Sequence, residues 1–307
     1  CDFNCGTNYL IGANAMNLRN IISILFCLII SNLIAFFSIS SESLVLNDIP
    51  LIYYCVALSF VIHWVVFIPS YLNRTEKFFD FTGMLTYLSV IGFALYHKYN
   101  ILESIDFQST VLATLISIWS LRLGIFLFYR IVKAGEDDRF SELKKSFFKF
   151  LSVWTLSALW VSLTSISALA ILTSKITNQD DYFVYLGIAV WLFGFLFEVV
   201  ADYQKTKFRN NTNNRDKFID SGLWSLSRHP NYFGEIILWI GIFLIAFPSL
   251  IGSQYIVLIS PIFVYFLLTS ISGINLLEAK AEKKWGNLES YKDYKKITPE
   301  LIPKFWN

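Results

Sequence analysis

Eight apolar runs, each about the length that crosses a bilayer as a helix, constrain this chain more than any other feature. A hydrocarbon core of about 30 Å takes roughly 20 helical residues, and a segment facing lipid must satisfy its backbone hydrogen bonds within itself. The runs fall at approximately 20–39, 50–72, 80–97, 109–131, 148–174, 182–204, 233–250 and 254–275. The expected fold is therefore all-α, a polytopic membrane helical bundle of about eight transmembrane helices. Composition agrees, because 55% hydrophobic against 16% charged residues exceeds what the core of a soluble domain of 307 residues needs. The chain reads as a multi-pass integral membrane protein, and a bacterial inner membrane and an endoplasmic reticulum suit it alike.

Lysine and arginine set the expected orientation. Arg19, Arg74, Lys77, Lys133, Arg139, Lys144 and Lys145 fall on one side, with the basic clusters between 205 and 228 and between 280 and 304. The other side holds little beyond Lys98 and Lys175, next to Glu42, Asp48, Glu103, Asp106, Asp180 and Asp181. Both termini are expected in the cytosol, together with the hydrophilic stretches 132–147, 205–232 and 276–307. Residues 1–15 precede Met16 and read as an upstream or disordered segment, with a lipid-modified Cys1 as the alternative, while 16–307 read as a single transmembrane domain. A net charge of +2 gives no field for nucleic acid. Cys1, Cys5, Cys27 and Cys55 show no zinc-type pairing with histidine, so no metal site is expected. No internal or inverted repeat points to a transporter.

An ionisable group inside a membrane helix costs several kcal/mol unless it meets a partner or a cavity, so each one marks a candidate site. Glu198, Asp202, Lys205 and Arg209 are spaced four, three and four apart, one face running from a carboxylate in the sixth span to a guanidinium beyond it. That face could grip a long polar ligand, and an Asp202–Lys205 pair with snorkelling basic chains is the plainer reading. The stretch SRHPNYFGE, Ser227 to Glu235, places Pro230 where the first turn of a helix tolerates it, and the free N–H groups of such a start attract phosphate. Arg228 and His229 would flank it with donors, Asn231 and Tyr232 would hydrogen-bond a ribose or an amide, and Glu235 lies one turn deeper. Interfacial anchoring is the alternative there. Asp80, Gly83 and Tyr87 share a face of the third span, where the acid or the phenol could deliver a proton to something held against the glycine. Ordinary packing would also account for Tyr87. Arg122, near the middle of the fourth span, needs a carboxylate such as Glu198 or a bound anion, whereas His63 reads as a satisfied packing residue. Glu278, Tyr291 and Tyr294 could close over a cleft, or their segment could lie on anionic lipid.

Five stretches then carry a resemblance: DFTGMLTY (80–87), RLGIFLFYRIVKAGEDDRF (122–140), EVVADYQKTKFR (198–209), GLWSLSRHPNYFGEIILW (222–239) and YKDYKKITPELIPKFW (291–306). In this order they resemble the steroid 5-alpha-reductase C-terminal-like family of multi-span membrane proteins, over roughly residues 50–306. HPNY also resembles a motif of the isoprenylcysteine carboxyl methyltransferases, which share the fold of the C-terminal half. The resemblance implies a nicotinamide cofactor, normally NADPH, in a cytosol-facing cofactor cleft built from about 198–307, and a lipophilic substrate entering from the bilayer. It implies hydride transfer to the beta carbon of a double bond conjugated to a carbonyl, with an acidic pair polarising the oxygen. Carried over, Asp202 and Arg209 look like the family's cofactor-binding aspartate and arginine, Asn231 and Glu235 like its asparagine and glutamate, and Asp80 like the carboxylate of the acidic pair. Where the steroid enzymes carry a tyrosine three residues before the arginine that resembles Arg122, this chain has Trp119, and Tyr87 is the candidate for that role.

The resulting expectation is an NADPH-dependent reductase of a carbon–carbon double bond in a lipophilic, steroid- or lipid-like substrate. Asp80 and Tyr87 are expected to be catalytic, and Arg122, Glu198, Asp202, Lys205, Arg209, Arg228, His229, Asn231, Tyr232, Glu235 and Tyr291 to hold the cofactor. The alternative is an S-adenosylmethionine-dependent membrane methyltransferase. That cofactor has no phosphate, so the arginines and lysines of 205–228 favour the dinucleotide.

Overall fold

Among the described residues, eight helical segments are long and apolar enough to cross a membrane, from Asn17–Phe37 to Gly252–Trp285. The computed structural model describes residues 3–176, 181–271 and 273–305, with side chains described from residue 17 onward. Cys1, the side chain of Cys5, and Asp180 lie outside them. The chain divides into two compact units, 1–179 with 249–257, and 180–248 with 258–307.

The first unit contains α1 (Phe3–Phe37), β1 (Val45–Leu46), β2 (Ile49–Pro50), α2 (Leu51–Leu72), α3 (Phe79–Leu102), α4 (Phe107–Ala134) and α5 (Phe147–Leu172). The two short strands pair antiparallel, and their turn uses Asn47 and Asp48 at φ 48° and 62°, a conformation these residue types tolerate better than most. α5 is the hub: α1, α2, α3 and α4 all pack against it, and it is the most enclosed of the eight spans. A helix surrounded by helices has no lipid face, so it can carry serine and threonine whose hydroxyls return to the preceding turn. Ser162 bonds Ala158 O at 2.9 Å, and Thr164 bonds Trp160 O at 2.8 Å. Others reach across: Trp64 Nε1 donates to Thr155 Oγ1 at 3.0 Å, and Ser167 Oγ to Val257 O at 2.9 Å. His63 is satisfied in the same way, with Nδ1 2.8 Å from Ser59 O and Nε2 3.1 Å from Ser157 Oγ, as its sequence context suggested.

Both ends of α3 are tied by charge. Lys98 Nζ meets Asp106 at 2.7 Å, wholly buried, and also donates to Ser109 Oγ and Ile171 O, so this internal ion pair leaves no donor of the ammonium in an apolar surrounding. At the other end Glu76 accepts from Asp137 N at 2.8 Å and Lys144 Nζ at 2.9 Å, fastening the α2–α3 connection to the α4–α5 connection.

The second unit contains α6 (Tyr182–Asn210), α7 (Leu223–Leu226), α8 (Pro230–Ala246), α9 (Ile259–Phe266), a π turn (Leu267–Ile271), α10 (Ile274–Trp285) and α11 (Glu289–Ile297). α6 outruns the apolar stretch that announces it, because Gln204, Lys205, Lys207 and Arg209 are good helix formers that continue the helix beyond the hydrocarbon. α10 stops at Trp285, with Gly286 after it. α6 and α8 touch backbone to backbone. A Cβ on Gly194 would lie 2.5 Å from Leu238 N and 2.6 Å from Gly234 O, and one on Gly234 would lie 2.6 Å from Glu198 N. Gly187 and Gly241 repeat this contact two turns away. Small residues at such a spacing let membrane helices approach closely enough for backbone packing to hold them.

Candidate functional site

The glycine contact sets the C-terminal part of α6 against the start of α8. Asn231 Nδ2 donates to Asp202 Oδ1 at 3.2 Å, and the Glu198 backbone lies on Gly234. Glu198, Asp202 and Glu235 are all buried. Pro230 is the first residue of α8, as its locked φ and missing N–H suit.

The chain before α8 is folded tightly on α6. Leu223 N donates to Gln204 Oε1 at 2.9 Å, and Trp224 Nε1 to Ala201 O at 3.0 Å. That anchors an indole over which the Lys205 ammonium sits, 4.2 Å from the ring centroid. From the other side the C-terminal stretch is strapped on: Arg228 N donates to Pro299 O at 2.9 Å, Lys304 N to Leu226 O at 3.0 Å, and Ser227 Oγ to Leu301 O at 2.8 Å.

Arg228 and His229 were expected to offer donors to phosphate. Both are committed to Glu278 of α10, Arg228 through Nη1 and His229 through Nε2 at 2.8 Å from Oε1. Arg228 Nη2 also reaches Glu300 at 3.3 Å. His229 is 5% exposed and its ring stacks on Tyr232, centroids 5.9 Å apart. Burial holds its imidazole below the usual pKa, and the neighbouring Lys205 and Arg228 push the same way against the opposing pull of Glu278. Arg228 Nε and His229 Nδ1 are buried without a hydrogen-bond partner among the described residues.

These groups border a cavity of about 250 Å³ within the second unit. Its charged lining is Lys205, Arg209, Lys217, Arg228, Lys280 and Lys284, against the single carboxylate of Glu278. Its aromatic lining is Phe208, Phe218, Trp224, Trp285, Tyr291 and Tyr294. Phe218 meets Tyr291 and Tyr294 at 5.1 and 5.3 Å between centroids, Tyr294 Oη donates to Trp224 O at 2.6 Å, and Trp285 Nε1 to Asp216 O at 2.7 Å. Six cations and one carboxylate line the hollow, and although Lys284 also pairs with Asp216 at 3.7 Å and Glu278 with Arg228, the lining carries an excess of positive charge, which attracts a polyanion with flat rings.

Of the residues singled out in the sequence, Lys205, Arg209, Arg228, His229, Glu278, Tyr291 and Tyr294 line this cavity. Asp202 and Glu198 lie one and two turns before Lys205 on α6, and Asn231, Tyr232 and Glu235 occupy the first turns of α8. Asp80, Tyr87 and Arg122 belong to the first unit. There Tyr87 is buried edge-on to Trp119, 5.3 Å between centroids, and its hydroxyl bonds Thr164 Oγ1. Either hydroxyl of that pair can donate, and the phenol does so when the Thr164 proton lies on Trp160 O, 2.8 Å away. Asp80 is half-buried in the first turn of α3, within the field of Arg130 and Arg139. A Cβ on Gly83 would meet nothing within 4 Å, and the Arg122 guanidinium lies 5.5 Å from the Phe126 ring centroid. Sequence reasoning counted Lys217 only within the basic stretch 205–228 and gave no site role to Lys280, Lys284, Phe218 or Trp285, although DKF and KKW each set basic residues beside an aromatic one.

Comparison with known proteins extends beyond the site. The family described as "Protein of unknown function (DUF1295)" matches residues 66–298, well over half of the chain. A 72-residue segment is 38% identical to the "Probable 7-dehydrocholesterol reductase" of Acanthamoeba polyphaga mimivirus, covering 18% of this chain and 16% of that protein. Over 117 residues the chain is 32% identical to "3-oxo-5-alpha-steroid 4-dehydrogenase 1" of Rattus norvegicus, covering 38% of this chain and 40% of that protein. The human protein of the same name is 28% identical over 118 residues, with the same two coverages. The chain thus matches less than half the length of these relatives. The family match runs from within α2 to just past α11 and so takes in parts of both units, and the chain belongs to DUF1295, the steroid 5-alpha-reductase-like family of membrane proteins.

Proposed function

We propose that the chain is an NADPH-dependent reductase of a carbon–carbon double bond in a lipophilic, steroid- or lipid-like substrate. The observation that carries this reading is the cavity's charge: six lysines and arginines with one carboxylate, itself tied to Arg228 and His229. A dinucleotide with a pyrophosphate and a 2′-phosphate matches that excess, whereas S-adenosylmethionine, a cation at its sulfur, would be repelled by it. The buried, unpartnered Arg228 Nε and His229 Nδ1 fit a ligand that brings polar atoms of its own. The names of the steroid and sterol relatives support a lipophilic substrate and reductive chemistry.

NADPH supplies a hydride when bound. Lys205, Arg209, Lys217, Lys280 and Lys284 would neutralise the phosphates, and Phe218 and Trp285 would offer flat surfaces to a ring. Asn231, oriented by Asp202, would hydrogen-bond the cofactor, with Glu198, Tyr232, Glu235 and Tyr291 shaping the pocket around it. Asp80 and Tyr87 would stabilise negative charge developing on a substrate carbonyl, Tyr87 turning to that oxygen an Oη proton otherwise shared with Thr164. Arg122 would hold an anionic group near them.

Calorimetry on the purified chain in lipid nanodiscs decides between the cofactors. NADPH should bind, and Arg209→Ala with Lys217→Ala should weaken it by about tenfold or more. Raising the ionic strength should weaken it as well. Binding of S-adenosylmethionine in place of NADPH would replace the reductase with a methyltransferase.

A further inference from the structure

His229 lines the cavity with one ring nitrogen committed and the other without a partner among the described residues. Nε2 lies 2.8 Å from Glu278 Oε1, and a carboxylate only accepts, so Nε2 carries the proton. Arg228 Nη1 bonds the other oxygen of Glu278 and keeps that carboxylate charged. In the neutral ring Nδ1 is then a bare lone pair. Protonating it too would bury a cationic N–H with no acceptor among the described residues. The depressed pKa from burial points to the same neutral form. Among the donors of this lining, His229 therefore supplies an acceptor.

We propose that His229 determines specificity in this site, its Nδ1 accepting a hydrogen bond from a neutral N–H or O–H donor of the bound nucleotide, with Glu278 as the residue that positions it. The inference rests on the nucleotide reading above and sharpens it. A phosphate presents acceptors, so it is turned away from Nδ1 and toward the ammonium and guanidinium groups of the same cavity. Two parts of NADPH qualify as the donor, the nicotinamide carboxamide and a ribose hydroxyl. This reverses the role as phosphate donor that the sequence suggested for His229.

The test pairs a spectrum with a binding series, both on the full chain in nanodiscs. Nitrogen-15 histidine labelling gives ring signals from only three residues, and His229→Gln identifies the one of interest. At neutral pH the ligand-free protein should show His229 protonated at Nε2 alone. Glu278→Gln, which keeps an acceptor for that proton, should preserve the pattern, and Glu278→Ala should lose it. A proton found on Nδ1 overturns the proposal whether or not NADPH binds, whereas absence of NADPH binding by the unmodified chain sinks the cofactor reading and leaves the spectrum to be judged by itself.

For binding, His229→Gln can still donate to Glu278 but has no acceptor at the Nδ1 position. It should bind NADPH about five- to tenfold more weakly. The 3-acetylpyridine analogue, which lacks the carboxamide N–H, separates the two donors. If the carboxamide is the donor, the unmodified chain loses the same factor on the analogue and the variant no longer distinguishes the two compounds. If a ribose hydroxyl is the donor, the unmodified chain binds both alike and the variant loses equally on both. Equal affinity of His229→Gln and the unmodified chain for NADPH overturns the proposal.

Discussion

Glu278 joins three parts of the second unit, since it sits on α10 and holds Arg228 and His229 ahead of α8, while Arg228 in turn reaches Glu300. Removing one member of a largely buried charge cluster costs more than the cluster contributes, because the remaining charges lose their partner without regaining water. Glu278→Ala should lower the unfolding free energy by about 2–3 kcal/mol, and Glu278→Gln by less, measured by thermal unfolding in nanodiscs. His229 makes a second prediction, in pH. Its imidazole faces Glu278 from α10, Lys205 from α6 and Arg228 beside it, and burial depresses its pKa below the ordinary 6.5. The folded state then binds fewer protons than the unfolded one, so the contribution of His229 is complete above about pH 6.5 and is lost as the pH falls toward the lower folded value. The unfolding temperature of the unmodified chain should drop relative to His229→Gln between about pH 7 and pH 5. Parallel curves would mean that the ring is not held neutral. The sequence marked Glu278, Arg228 and His229 separately but not their pairing: Glu278 is 49 positions from His229, and an ion pair between distant segments leaves no local pattern to read.

At the scale of elements, two glycines of similar appearance in the sequence have opposite surroundings. Gly194 lies against the α8 backbone, where neither Leu238 N nor Gly234 O can give way to a methyl group. Gly194→Ala should destabilise the chain by about 1–3 kcal/mol and, by spreading α6 from α8, pull Asp202 away from Asn231. Gly83 faces open space in the interior of α3. Gly83→Ala should raise stability by about 0.5–1 kcal/mol, because alanine is the better helix former. Turnover of a lipophilic enone should nonetheless fall if that gap receives the substrate, and unchanged turnover would remove Asp80, Gly83 and Tyr87 from consideration as a substrate face. The gap at Gly83 was visible in the sequence as a small residue between an acid and a phenol on one helical face. The α6–α8 contact was equally present, as glycines seven apart in two spans, but such a spacing gains meaning only once the two helices are known to be neighbours.

Across the whole molecule, the part that could be read was the part set residue by residue. Transfer into lipid is close to additive along a helix, so the eight spans emerge from hydropathy alone, including the break at Pro230. Sidedness follows from a different sum, the lysines and arginines near the ends of the spans, and it bears directly on the proposed chemistry. Among the described residues the cavity lining runs from 205 to 294, so a nucleotide would reach it from the compartment that those connections face. By the positive-inside rule the basic clusters predict that this side is the cytosolic one. In a background with Cys1, Cys5, Cys27 and Cys55 replaced by alanine, single cysteines at the exposed positions Ser41, Ser104, Glu136 and Asn213 report it. A membrane-impermeant maleimide applied to intact cells, or to sealed vesicles of known orientation, should label Ser41→Cys and Ser104→Cys from the outer or lumenal side. Glu136→Cys and Asn213→Cys should react only after permeabilisation. The reverse pattern would turn the cationic cavity away from the cellular nucleotide pool, and a reductase that draws on NADPH could not work in that orientation.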